Sequence, residues 1–179
     1  MLNAFNEQLK RLAADPKDGF TRRVRALAGG REAPRCCGEL RALILAAPAM
    51  VARLRRWTDD AHMPPHLLRQ QKFALAYLYS PYDFVPDAEH GLFGYLDDAW
   101  LVGSVFADSC RDLEALGLTL QPAERRLRDD CAAGLETARR LLPRETDAMR
   151  KLLSQVAAGV PNARALAACA EAGREGVTR

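Results

Sequence analysis

Long apolar runs are what this sequence most plainly lacks. Its uncharged stretches, such as Ala42 to Ala52 and Phe73 to Tyr82, stop far short of the roughly 20 apolar residues a membrane-spanning helix needs. A bilayer-crossing segment is therefore excluded. The opening stretch, Met1 to Lys10, has no basic segment followed by an apolar run, so no secretory signal is expected. Histidine is scarce, with three in 179 residues. The chain also lacks an HExxH sequence, a phosphate-cradling glycine loop and a nucleophile elbow, which removes the commonest hydrolase and nucleotide-binding signatures. Cysteine occurs five times, at Cys36, Cys37, Cys110, Cys131 and Cys169, an odd number without repeated spacing. Neighbours such as Cys36 and Cys37 cannot bridge each other without strain. Reduced thiols in a cytoplasmic compartment are the simpler expectation, and the pair has no CxxC spacing to suggest a redox or ligand role.

What is present suits one globular core. The composition is 49% hydrophobic and 27% charged, near the average for folded domains, and the length fits a single domain or a domain with an arm. The formal net charge of +3 hides a segregation. Residues 1–58 carry 12 Lys/Arg against 5 Asp/Glu, residues 59–114 carry 3 against 10, and residues 115–179 carry 11 against 8. An acidic middle thus lies between basic flanks. Arg22, Arg23 and Arg25, with Arg53, Arg55 and Arg56, could meet nucleic acid or an anionic lipid surface. Solvated helix faces explain the same charges more plainly, because steering patches are normally denser.

Helical spacing dominates the chain. Leu2, Phe5, Leu9 and Leu12 share one face of a first helix ending near Asp15-Pro16, and a short helix spans Gly19 to Leu27. Arg31 to Cys37, with Pro34, reads as a loop, so this arm is expected to dock loosely. Leu40, Leu43, Ile44, Ala47, Val51, Leu54 and Trp57 follow helical period from Gly38 to Trp57, with a kink or break expected at Pro48. Pro64-Pro65 opens a helix running to Leu78 or Tyr79. Its second half, uncharged on every face, predicts burial on all sides. A helix from Gly94 to Leu116 follows, then three more over Pro122 to Leu142, Glu145 to Ala158 and Asn162 to Ala172. No strand pattern competes. The fold class read here is all-α: a compact bundle of about six to eight helices whose long buried central pair is joined by an acidic, proline-rich turn. Residues 1–35 form a basic helical arm, and residues 36–179 a helical domain.

That turn carries the information. Asp83, Asp87, Asp97 and Asp98 crowd between two of the most apolar helices, and a carboxylate near a core is costly unless paired, coordinated or protonated. Asp83 and Asp87 suit turns in which acidic side chains accept backbone N–H bonds, and Asp97 and Asp98 suit a helix's first turn. Asp98, however, shares the inward face of Leu101, Val102 and Val105 and needs a cation. Lys72 and Arg69, on the preceding helix, are the Lys or Arg side chains between Arg56 and Arg111, so an ion pair with either would hold the two helices in register. Alternatively, the four aspartates converge on a divalent ion, since oxygen-only clusters suit magnesium, calcium or manganese, with His90 assisting proton transfer. His62 and His66 stand four apart, but the intervening prolines spoil a helical metal pair.

Ser80-Pro81, Asp83 and Pro86-Asp87, followed by Gly94-Tyr95 and Asp97-Asp98, resemble the pattern of the YkvA-like family, a bacterial domain of unknown function. The resemblance covers about residues 66–106. It implies a helical fold and, for some members, membrane association, with no assigned activity. The link Ala88 to Phe93 is more polar than the family's apolar connection and a residue longer, which argues against close membrane contact here.

The reading favoured is a non-enzymatic protein-interaction module whose carboxylates, with Lys72 and Arg69, form a structural network. It needs no cofactor and an unidentified protein partner. One alternative is a divalent-metal site on Asp83, Asp87, Asp97, Asp98 and His90, serving a hydrolase. The other is peripheral membrane or nucleic-acid binding through the basic arm.

Overall fold

A computed structural model of the chain describes residues 2–78 and 91–160. Among these, seven α-helices and one 3-10 turn are present: α1 (Leu2–Ala14), α2 (Phe20–Ala28), α3 (Ala33–Thr58), α4 (Pro65–Tyr77), the turn Gly91–Tyr95, α5 (Leu96–Ala115), α6 (Pro122–Leu141) and α7 (Pro143–Ala157). They pack as an all-helical bundle, and none is long and apolar enough to cross a membrane. The helix expected over Asn162 to Ala172 lies outside the described residues.

Prolines set several boundaries. Pro65, Pro122 and Pro143 all stand in helix first turns, where an absent N–H costs no bond and a fixed φ assists the start. The same physics corrects the expected loop over Arg31 to Cys37. Pro34 stands in the first turn of α3, so the helix begins at Ala33. Pro48 does not end this helix either, which continues to Thr58. Around it Leu43, Ile44, Ala47, Met50, Val51 and Leu54 are all essentially inaccessible to solvent, and burial of side chains worth about 1.5–3 kcal/mol each outweighs the roughly 3 kcal/mol penalty of an internal proline.

Helix α3 lies at the middle of the bundle, packed against α1, α2, α4, α5 and α6, while α7 closes over α4, α5 and α6. Two glycines permit the closest approaches. Gly103 of α5 faces Leu43 and Leu135, and Gly134 of α6 meets the backbone of α3. The start of α6 is tied down by a capping box between Gln121 and Glu124, whose carboxylate also pairs with Arg53 of α3 at 2.9 Å. Contrary to the expected loose docking, α1 and α2 join the common core through the fully buried Leu9, Phe20 and Val24. The second half of α4 is less enclosed than its composition suggests: Phe73, Ala74 and Tyr77 are buried, but Ala76 is exposed. Small side chains such as alanine leave the helix's outer face at the surface without a large apolar penalty.

Candidate functional site

Asp97 and Asp98, the described aspartates of the acidic motif, lie where α5 begins, within reach of the end of α4. Asp97 and Asp98 occupy the first turn of α5, where the unsatisfied amides and the helix dipole favour negative charge. Both are buried, at 1% and 7% exposure, and both are followed by the inaccessible Leu101, Val102 and Val105. The Tyr77 hydroxyl, at the end of α4 and itself fully buried, donates to Asp97 Oδ2 at 3.1 Å. A second buried polar contact joins the same helices two turns away, where Gln71 Nε2 donates to Ser109 Oγ at 3.0 Å.

The cations expected to neutralise Asp98 are elsewhere. Arg69 is exposed, and its guanidinium donates to the Val156 and Ala157 carbonyls at the end of α7. These are the orphan acceptors every helix C-terminus presents, and a cation there also complements the dipole. Lys72 is exposed and makes no ion pair among the described residues. Tyr77, on the same helix, reaches the neighbouring carboxylate of Asp97 instead. Asp83, Asp87 and His90 lie outside the described residues. Among the described residues, no group of three or more His, Cys, Asp or Glu side chains converges as a metal set would. His66 instead contacts Asp112 at 3.2 Å on the exposed side of α4 and α5.

The site has a second wall that sequence reasoning missed. Asp18, between α1 and α2, accepts from Phe20 N through Oδ1 at 2.7 Å and from Leu92 N through Oδ2 at 2.8 Å. One carboxylate thus accepts from the first amide of α2 and holds the turn that follows the acidic segment. Gly91 precedes that bond with φ +57°, and a β-carbon there would strike the Asp18 carboxylate. Around this tie, Phe20 meets Phe93 with ring centroids 6.3 Å apart, Phe5 meets Tyr95 at 6.0 Å, and Gln8 donates to the Tyr95 hydroxyl. The basic arm is therefore built against the motif. Its visible signal was Asp15-Pro-Lys-Asp18-Gly19, a turn-forming run whose long-range partner no local pattern reveals.

The thiols stand apart from this site. Burial pushes the Cys110 thiol up to about 12 and the Cys131 thiol up to about 11, so both remain protonated and unreactive at neutral pH. Cys36 is buried with the Arg140 guanidinium donating to its Sγ at 3.2 Å, beside the half-buried Cys37. Trp57 stacks on Phe106 with centroids 5.5 Å apart, and Trp100 donates to the Leu135 carbonyl at 3.3 Å.

A family model described as a protein of unknown function (DUF1232) matches residues 73–103, from the second half of α4 into α5. The match falls on the stretch that carries the acidic motif and supports similarity to a bacterial domain family of unknown function. No curated protein and no solved structure matches the chain.

Proposed function

We propose that this chain is a non-enzymatic helical interaction module in which the acidic motif is a structural node rather than a reaction centre. The observation that carries this reading is the Tyr77–Asp97 bond, made between two groups that solvent does not reach. A carboxylate acting on a substrate must come within hydrogen-bonding distance of it. Asp97 instead accepts from a core tyrosine and lies at a helix start that stabilises its charge. On this reading the work is done on the surface, where Leu116 and Leu118 are 60% and 54% exposed on the α5–α6 connection. Adjacent exposed leucines are apolar area that a partner would cover.

The test compares metal content and melting temperature of the full chain purified without chelator, before and after EDTA and with added magnesium, manganese or calcium. Asp97→Asn should lower the melting temperature, while neither EDTA nor added ions should move that of the native chain. A stoichiometric divalent ion that is lost in Asp97→Asn would overturn the structural reading in favour of a carboxylate metal site. For the surface, Leu116→Ser with Leu118→Ser should abolish partner capture without changing the melting temperature. Capture unaffected by this pair would remove the connection as the docking surface.

A further inference from the structure

Between the α1–α2 turn and the 3-10 turn lies a cleft of about 610 Å³, within the range of small-ligand sites. Leu12 and Ala26 supply apolar wall, and Gly19 and Gly91 leave the backbone uncovered. Five charged side chains line it: Lys17, Arg22 and Arg23, with Asp15 and Asp18. The two signs are not equally available. Asp18 uses both oxygens on the amides of Phe20 and Leu92, and Asp15 Oδ1 accepts from Lys17 N at 2.8 Å. Lys17 and Arg22, in contrast, are exposed and enter no ion pair among the described residues. The exposed Arg22 places its Nη2 3.3 Å from where a β-carbon on Gly19 would stand, near the start of a helix whose first turn has no acidic residue. Three cations and two carboxylates thus line a concave, partly apolar surface, and the excess of one positive charge gives it a modest bias toward anions.

We propose that this cleft binds a small phosphate-bearing anion, with Lys17 supplying a point charge and Arg22 a planar pair of donors to the phosphate oxygens. The apolar wall of Leu12 and Ala26 would face the body that bears the phosphate. This site is separate from the Tyr77–Asp97 node and does not depend on the function assigned to it. The same phosphate chemistry could arrive on a soluble metabolite or on a lipid headgroup.

The experiment titrates the ¹⁵N-labelled full chain with inorganic phosphate, and separately with phosphatidylcholine vesicles containing or lacking phosphatidic acid. Saturable shifts are expected at the amides of residues 15–23 and 91–92. Affinity should fall roughly tenfold or more in Lys17→Gln with Arg22→Gln, since each removes a charged hydrogen bond. It should be unchanged in Arg55→Gln with Arg56→Gln, which removes the same charge from exposed positions near the end of α3. Binding only to soluble phosphate assigns a free ligand, and displacement of phosphate by phosphatidic acid vesicles assigns a headgroup. Shifts that never saturate, that sodium chloride reproduces, or that survive Lys17→Gln with Arg22→Gln would overturn the proposal. Melting temperatures of both variants, expected to match the native chain, show that any loss of binding is not a loss of fold.

Discussion

Gly134 of α6 crosses Glu39 of α3 so closely that a β-carbon at position 134 would lie 2.6 Å from the Glu39 carbonyl oxygen. It would also stand 2.7 Å from the Leu43 β-carbon, so neither neighbour is a flexible tip that can move aside. Gly134→Ala should therefore destabilise the fold by roughly 1–3 kcal/mol through overpacking, although alanine is the better helix former by about 1 kcal/mol. Gly38→Ala supplies the opposite sign. It too lies within a helix, but nothing stands within 4 Å of its added carbon, so propensity alone should act and stability should rise by up to about 1 kcal/mol. Urea denaturation of the two variants checks both. A Gly134→Ala protein as stable as the native chain would mean that α3 and α6 can separate freely.

The Tyr77–Asp97 bond makes a second prediction, on the energetics of the node. Tyr77→Phe leaves Asp97 Oδ2 without its phenolic donor and should cost about 1–3 kcal/mol. Asp97→Ala removes the acceptor and the charge that complements the start of α5. If the two act through one another, the double variant will be less unstable than the sum, with a coupling of about 0.5–3 kcal/mol. Strict additivity in this cycle would show that the contact contributes nothing of its own.

How much of this was legible beforehand depended on the range of the interaction. Helices were readable because their evidence is local: Leu40, Leu43, Ile44, Ala47, Val51 and Leu54 recur at helical spacing, and all six are buried in α3. Pro34 and Pro48 misled in opposite ways. One was read as a loop residue where it starts a helix; at the other a kink or break was expected, and the helix continues through it without a break. At the site, the inward position of Asp98 followed from its spacing to Leu101, Val102 and Val105. The cations assigned to it did not, because which way Arg69 and Lys72 face depends on where α7 and α5 lie against α4. Asp18 was the least visible residue. Its partner Leu92 is distant in sequence, and a turn-forming aspartate looks the same whether it closes its own turn or also holds another segment.

That long-range tie predicts the third outcome. Asp18→Ala deletes the acceptor shared by Phe20 N and Leu92 N, so the first amide of α2 loses its acceptor and the 3-10 turn its anchor. Gly91→Ala strikes the same bond from the other side, since its φ of +57° strains any β-carbon and the added atom displaces the Asp18 carboxylate. Amide hydrogen exchange should accelerate in α1, α2 and residues 91–95 in both variants, with exchange in α6 and α7 little changed. Acceleration confined to the mutated residue's neighbours in sequence would show that Asp18 acts locally and does not fasten the arm to the motif.

The last prediction concerns acid. The Thr137 hydroxyl, donating across from α6, and secondly the Arg35 guanidinium hold the Glu39 carboxyl below the usual carboxylate range. A carboxylate whose folded pKa is depressed contributes stability that is fully present above its unfolded pKa and is lost as pH falls through the folded value. Thr137→Val removes the larger cause, so the variant should be less stable than the native chain at pH 7. The difference should shrink through the acid range and nearly close once Glu39 is protonated in both proteins. Urea midpoints measured from neutral pH downward check the sign. A deficit that stays constant with pH would assign the effect of Thr137 to packing and leave the Glu39 carboxylate without a part in joining α3 to α6.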